Sequence, residues 1–248
     1  MSSSNLKDRW VEAQDTEEKL CRRGPPHQSK EWWEQNLSQE FSLDFDFFKG
    51  KAVLEVGCGS HGMIHYIDSA LTKVGIDPLC SRYKDYFVNW NTSVHHVTGA
   101  GESLPFKSDV FDIVICYNVI DHGISPSTIL KEIGRVLKAD GHFVFSVATF
   151  FHSPKAFRAK LCLFDRPHPH HLSRKETRQF LNDAGFRVDF YNYYGGSVGD
   201  IILDLKGRRC YHAAQRLFAT LLGRGTSYYV CSKVRADEAD IKLKLQHS

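Results

Sequence analysis

The sequence predicts an α/β protein built on a mostly parallel sheet, and three observations carry that expectation. From residue 50 to about 190, short apolar runs alternate with amphipathic stretches, the pattern of strands joined by crossover helices. The run Ile113-Val114-Ile115-Cys116 is apolar at successive positions, as a strand covered on both faces must be. A glycine-rich loop, Gly57-Cys58-Gly59-Ser60-His61-Gly62, follows the first run directly, at the sheet edge where such folds bind ligands.

Residues 5–48 read as helices broken at Gly24-Pro25-Pro26, and they carry Trp10, Trp32, Trp33, Phe41, Phe45, Phe47 and Phe48. This aromatic segment is expected to form a helical N-terminal extension over 1–48, ahead of one domain over 49–235 and a charged tail over 236–248. Strands are expected at Ala52–Val56, Val74–Asp77, Val94–Thr98, Phe111–Tyr117 and His142–Ala148, with helices near 61–71, 80–89 and 125–138. A linker rich in His and Pro follows residue 150. Ser173-Arg174-Lys175-Glu176 is a capping box, so a helix should run from 174 to Ala184 and stop at Gly185. Phe186–Tyr194 and Ser227–Val234 read as two further strands, with a helical stretch from about 200 to 222 between them.

Composition sets outer limits. With 248 residues and 42% apolar content the chain can bury one large core and is not a disordered one. No stretch approaches the roughly 18 uncharged apolar residues of a membrane span. Met1-Ser2-Ser3-Ser4-Asn5 leads into charge rather than an apolar segment, so no secretory signal is expected. Seven cysteines without a Cys-x-x-Cys pair argue against a disulfide framework or a thiolate zinc site, and for a reducing, cytoplasmic setting. Residues 1–48 hold ten acids against six Lys/Arg, whereas 152–178 holds seven Lys/Arg against two acids. That basic stretch either attracts an anionic partner or is a solvated helix face. It lacks the interleaved aromatics of single-strand binders, so nucleic acid is not expected as a partner.

Gly57-x-Gly59-x-x-Gly62, with Asp77 twenty residues on, also fits a dinucleotide fingerprint. Glu55 argues against that ligand: a carboxylate two residues before Gly57 repels a pyrophosphate and suits a cation. Three later segments follow in order: Gly99-Ala-Gly-Glu102-Ser-Leu-Pro-Phe106, Phe111-Asp-Ile-Val-Ile-Cys-Tyr-Asn118-Val-Ile-Asp121-His122, and Leu130-Lys-Glu-Ile-Gly-Arg135-Val-Leu-Lys-Ala-Asp-Gly141. Together with the glycine loop they resemble the class I S-adenosylmethionine-dependent methyltransferases, in particular the methyltransferase type 11 branch, over about residues 50–190.

The resemblance implies a Rossmann-like, seven-stranded sheet with the last strand antiparallel, and S-adenosyl-L-methionine as cofactor. It assigns Glu55, Gly57, Cys58 and Gly59 to the methionine portion and Asp77, followed by Pro78, to the ribose hydroxyls. Gly101 and Glu102 fall in the loop bordering the adenine, and Asn118 and Val119 face the methionine and the reaction centre. His61 stands where many members have a third glycine, and Ala100 where an Asp often bonds the adenine. Plainer roles stay open: turn glycines at 57 and 59, a helix cap at Asp77, a surface acid at Glu102, and apolar fillers at Cys58 and Cys116.

The implied reaction aligns a small-molecule acceptor with the methyl group in a dry pocket, which asks little chemistry of the protein. For a hydroxyl or amine acceptor the candidate bases are His122, then His168 and His171. His and Asp from two loops suggest a metal, but His168, His170 and His171 in a Pro-broken loop cannot easily face one ion, so no metal ligand is expected. The acceptor is expected to be polar or anionic, met by the basic stretch, and the aromatic segment 5–48 to close over it. The protein is expected to act as a monomer or homodimer. The alternatives are a non-catalytic, cofactor-binding partner domain and another use of the same cofactor.

Overall fold

A computed structural model of the chain describes residues 3–22, 28–83, 93–150, 168–195 and 223–234, with Arg158, Leu217 and Thr220 between them. The strands are β1 (Ala52–Val56), β2 (Thr72–Asp77), β3 (His95–Thr98), β4 (Phe111–Tyr117), β5 (Leu137–Phe150), β6 (Leu172–Ser173), β7 (Phe186–Gly195) and β8 (Arg224–Lys233). They form one sheet in the order β3-β2-β1-β4-β5-β8-β7, with the two-residue β6 pairing β5 off this path. β1 runs parallel to β2 and β4, and so do β2 to β3 and β4 to β5. β8 is antiparallel to both β5 and β7. The expected sheet, mostly parallel with its last strand reversed, is therefore the one formed, and β6 is an addition to it.

The order has a consequence for ligands. From β1 the chain moves outward to β2 and β3, then returns to place β4 on the other side of β1. Loops leaving β1 and β4 diverge, and a crevice opens between them at the carboxyl ends of the strands.

Side-chain alternation divides the core. Leu54, Val56, Val114 and Cys116 face α4 (Pro126–Val136) and α5 (Arg174–Asp183), burying Ile129, Leu130, Ile133 and Leu181. Val53, Ile113, Ile115 and Val144 face the other way, against Trp33, Leu37, Phe41 and Phe48. The sequence reading expected a helix near 61–71, which the chain would place on this second face. The structure has one 3₁₀ turn there, Met63–His65, and the cover comes from the aromatic segment 33–48. Glycine, a helix breaker, stands at 62 and no cap precedes it, while Glu55 holds the turn from below. 

That aromatic segment is built from short pieces. α1 (Ser3–Arg22) precedes the Gly-Pro-Pro break, and α2 (Lys30–Asn36) follows, with Ser29 Oγ accepting from Trp32 N at 3.2 Å. A π turn (Leu37–Phe41) and a 3₁₀ turn (Phe45–Phe48) continue it. α5 begins with the expected capping box: Ser173 Oγ accepts from Glu176 N at 3.2 Å, and Glu176 Oε2 accepts from Ser173 N at 2.8 Å. The expected helix at 80–89 is seen as α3 (Cys80–Tyr83); its remainder lies outside the described residues, as do most of 200–222 and the tail. Among the described residues no helix is long and apolar enough to cross a membrane.

Candidate active site

A cavity of about 720 Å³ opens at the carboxyl edge of the sheet, over the crevice between β1 and β4. Its wall takes in Glu55, Gly57, Cys58, Gly59, Asp77, Asn118, Val119, His122 and His168. Pro78, Gly101, Glu102 and His171 are not part of that wall among the described residues. The sequence reading placed Asp121 beside His122 at this sheet edge, but it did not single out Tyr117 or the wall residues Arg224 to Thr226 at the start of β8. Tyr117 had a usable signal, since it directly precedes the Asn118-Val119 pair. Those of β8 had none, because only strand pairing brings them to this edge.

The loop after β1 is fixed by backbone bonds to the neighbouring strand. Gly57 N and Cys58 N donate to Ile76 O at 2.8 and 3.3 Å. Gly57 and Gly59 have φ of +74° and +51°, a left-handed conformation that side chains resist. A Cβ on Gly57 would lie 2.7 Å from Val119 Cγ1 and closer still to Cγ2, so the two loops touch here. A Cβ on Gly59 would meet nothing within 4 Å, because that position faces open space in the cavity wall.

Asp77, 9% exposed at the end of β2, accepts from Gly59 N at 3.1 Å and from Leu79 N at 2.8 Å. Burial raises its carboxyl to about 6, against the lowering effect of those two bonds. A carboxylate offers about four acceptor positions, so two remain for a ligand. Glu55 sits deeper, 1% exposed, accepting from Met63 N at 3.2 Å and Ile64 N at 2.8 Å. Burial pushes it up to about 8, and its visible work is to hold the turn that follows the glycine loop. Cys58 packs its Sγ 3.9 Å from Cys80 Sγ, and this contact, with burial, pushes its thiol well above the ordinary value. That is the environment of a filler, not a nucleophile.

The opposite wall comes from the end of β4. Asn118 has φ of +54°, which turns the chain across the strand end, and its N donates to Ser146 O at 3.0 Å. Asp121 and His122 follow. Glu102 braces this loop from outside by accepting from Ile124 N at 2.6 Å and Ser125 N at 3.3 Å. Gly101 packs beside Ile129 and Val56. The His122 and His168 rings approach to 4.4 Å between centroids. His170 instead packs its Nε2 3.1 Å from Ile124 O, and the His171 ring lies 5.8 Å from Phe150. Aromatic rings close the remaining side: Trp33 meets Tyr117 edge-on at 4.9 Å, and Trp33 Nε1 donates to His61 O at 3.1 Å. Ala13, Gln14, Thr16 and Glu17 of α1 complete the rim. Burial raises the Tyr117 hydroxyl pKa far above its usual value, so it stays neutral.

Comparison with known proteins places this geometry. A methyltransferase-domain family model matches residues 27–189. An uncharacterized protein of Methanocaldococcus jannaschii is 32% identical over 118 residues, 48% of this chain and 43% of that protein. A ubiquinone biosynthesis O-methyltransferase of Hydrogenovibrio crunogenus is 25% identical over 136 residues, 46% of this chain and 54% of that one. The chain thus spans about half the length of the curated relatives it matches. In fold it is similar to an S-adenosylmethionine-dependent methyltransferase of Mesorhizobium loti, with a TM-score of 0.59, 15% identity, and coverage of 83% of this chain and 98% of that one. With the family model covering more than half its length, on a sheet of this order, the chain belongs to the class I methyltransferase family.

Proposed function

We propose that the protein binds S-adenosylmethionine in this cavity and transfers its methyl group to a small-molecule acceptor. The observation that carries the reading is the convergence of the Gly57–Gly59 loop, Asp77 and Asn118 on one cavity at the topological switch of the sheet. The residues fit the group. Asp77 keeps acceptor capacity for two ribose hydroxyls, and Gly59 leaves open the space that any side chain would fill. When bound, S-adenosylmethionine supplies a methyl group on a sulfonium, whose charge is lost in the transfer. The protein's part is then positioning and exclusion of water, to which Trp33 and Tyr117 contribute aromatic cavity wall. His122 and His168, on the wall beyond Asn118, are placed to take the proton of a hydroxyl or amine acceptor.

A small-molecule acceptor is supported by a cavity of this size and by the ubiquinone-pathway relative named above. The polar or anionic acceptor and a monomer or homodimer remain part of this proposal. The test is calorimetric titration with S-adenosylhomocysteine, then incubation with methyl-labelled cofactor and fractionated small metabolites. Saturable binding with label transfer supports the reading; binding with no transfer supports the non-catalytic partner domain; no binding sinks both.

A further inference from the structure

We propose that Asp121, His122 and His168 bind a divalent transition-metal ion at the acceptor end of the cavity. One ligand atom from each lies within 4.8 Å of the others. The sequence reading set a metal aside because three loop histidines could not share one ion. The structure recruits only one of them, His168, and supplies the other two donors from the loop after β4. His170 and His171 are turned elsewhere, to Ile124 O and to Phe150.

Three features make this set more than proximity. Asp121 is 3% exposed, and its Oδ1 is buried with no hydrogen-bond partner among the described residues. A buried carboxylate oxygen in that state calls for a cation. The two imidazoles meet at 4.4 Å between centroids, close enough to serve one centre. Finally, the two loops are joined. His170 N donates to Asp121 O at 3.3 Å across them, while His122 N donates to Val119 O at 2.9 Å and fixes the loop after β4 itself. Arg9 Nη2 also donates to His168 O at 3.4 Å, so the third donor's backbone is held as well.

The donor set indicates which ion. Two imidazoles and one carboxylate suit zinc, iron, cobalt or manganese, whereas magnesium and calcium prefer oxygen alone. Donors around such an ion, bound at about 2.0–2.2 Å, lie roughly 3–3.5 Å apart, so side-chain rotations of about 1 Å close the set. Three protein donors leave coordination positions for water or an acceptor atom, and all three residues line the cavity. Resting on the methyl-transfer reading, the ion would hold an acceptor oxygen beside Asn118, and coordination would replace proton removal by the imidazoles. The ion site itself does not depend on that reading.

The experiment uses the full chain and cobalt(II) alone, followed by visible absorption and calorimetry. One equivalent should bind, with d–d bands in the visible range. His168→Gln and Asp121→Asn should each weaken it at least about tenfold, while His95→Gln, an exposed histidine on β3, should leave it unchanged. Failure of cobalt to bind stoichiometrically, or equal affinity in His168→Gln, overturns the proposal, and His168→Gln guards against a misfolded Asp121 variant. S-adenosylhomocysteine titrated into the same proteins keeps the two readings separate. Cofactor binding without cobalt binding overturns the ion site alone, and cobalt binding without cofactor binding overturns methyl transfer alone.

Discussion

At single positions, the two loop glycines serve different ends. Gly57 combines a positive φ with direct packing on Val119, whereas Gly59 has the positive φ alone. Gly59→Ala should therefore cost about 1–2 kcal/mol of stability, the price of a left-handed alanine. Gly57→Ala should cost about 1–3 kcal/mol more, from overlap with the valine methyl groups. In the Gly57→Ala/Val119→Ala pair that excess should disappear while the φ cost stays; denaturant titrations of the three proteins measure it, and full additivity would mean the loops are not in contact. Asp77 holds the glycine loop and, on the proposed function, also binds the ribose. Asp77→Ala should weaken S-adenosylhomocysteine binding by about 1.5–3 kcal/mol, since the ribose hydroxyls lose a charged acceptor and Gly59 N loses its anchor. An unchanged dissociation constant in a folded variant would remove Asp77 from the cofactor site.

At the level of elements, the Met63–His65 turn hangs on a buried acid. Glu55 has a folded value of about 8 against the usual 4.5, so the folded state holds this proton when the unfolded chain has released it. Its contribution is present below about pH 4.5 and is lost as pH rises toward 8. Asp77, raised to about 6, acts in the same sense but is spent at lower pH. His65 and His96, stacked at 5.2 Å and lowered to about 4 by burial, act oppositely, and only below their ordinary 6.5. The window from pH 6.5 to 8 therefore isolates Glu55. The ligand-free protein should lose about 1–2 kcal/mol across it, and Glu55→Gln should flatten that slope in urea titrations. An equal slope in both proteins would place the titrating group elsewhere.

For the whole molecule, the aromatic N-terminal segment sorts into two parts. Trp33, at 1% exposed, belongs to the core beneath the sheet and also reaches the cavity, while α1 lies at the cavity rim. Removal of residues 1–27 should accordingly lower ligand affinity while thermal unfolding shifts by only a few degrees. Trp33→Ala should cost about 3–5 kcal/mol and carry ligand binding down with it. If the truncation unfolds the protein as the tryptophan change does, α1 is core and not rim.

Much of this was legible in the chain itself. Ala52–Val56 and Phe111–Tyr117 were predicted residue for residue, because strands buried on both faces are dense in apolar residues, here interrupted only by Glu55 and Asp112, between polar turns. The α5 start was readable from its capping box, a purely local chemistry. Asp77, Gly57 and Gly59 were identifiable from their place at strand ends and from the methyltransferase resemblance, and all three stand on the cavity wall. The segment 61–71 misled because its apolar residues suit a helix, yet Glu55, eight residues upstream of the turn, captures its first amides. Glu102 and His171 were plausible by position in the chain, but side-chain direction sent one to brace a loop and the other against Phe150. The sequence allowed His and Asp to converge from two loops, but that Asp121 and His122 meet His168 and not His170 or His171 is decided by the tertiary structure: local pattern records which face a residue takes, whereas sheet order and loop pairing determine what stands opposite it.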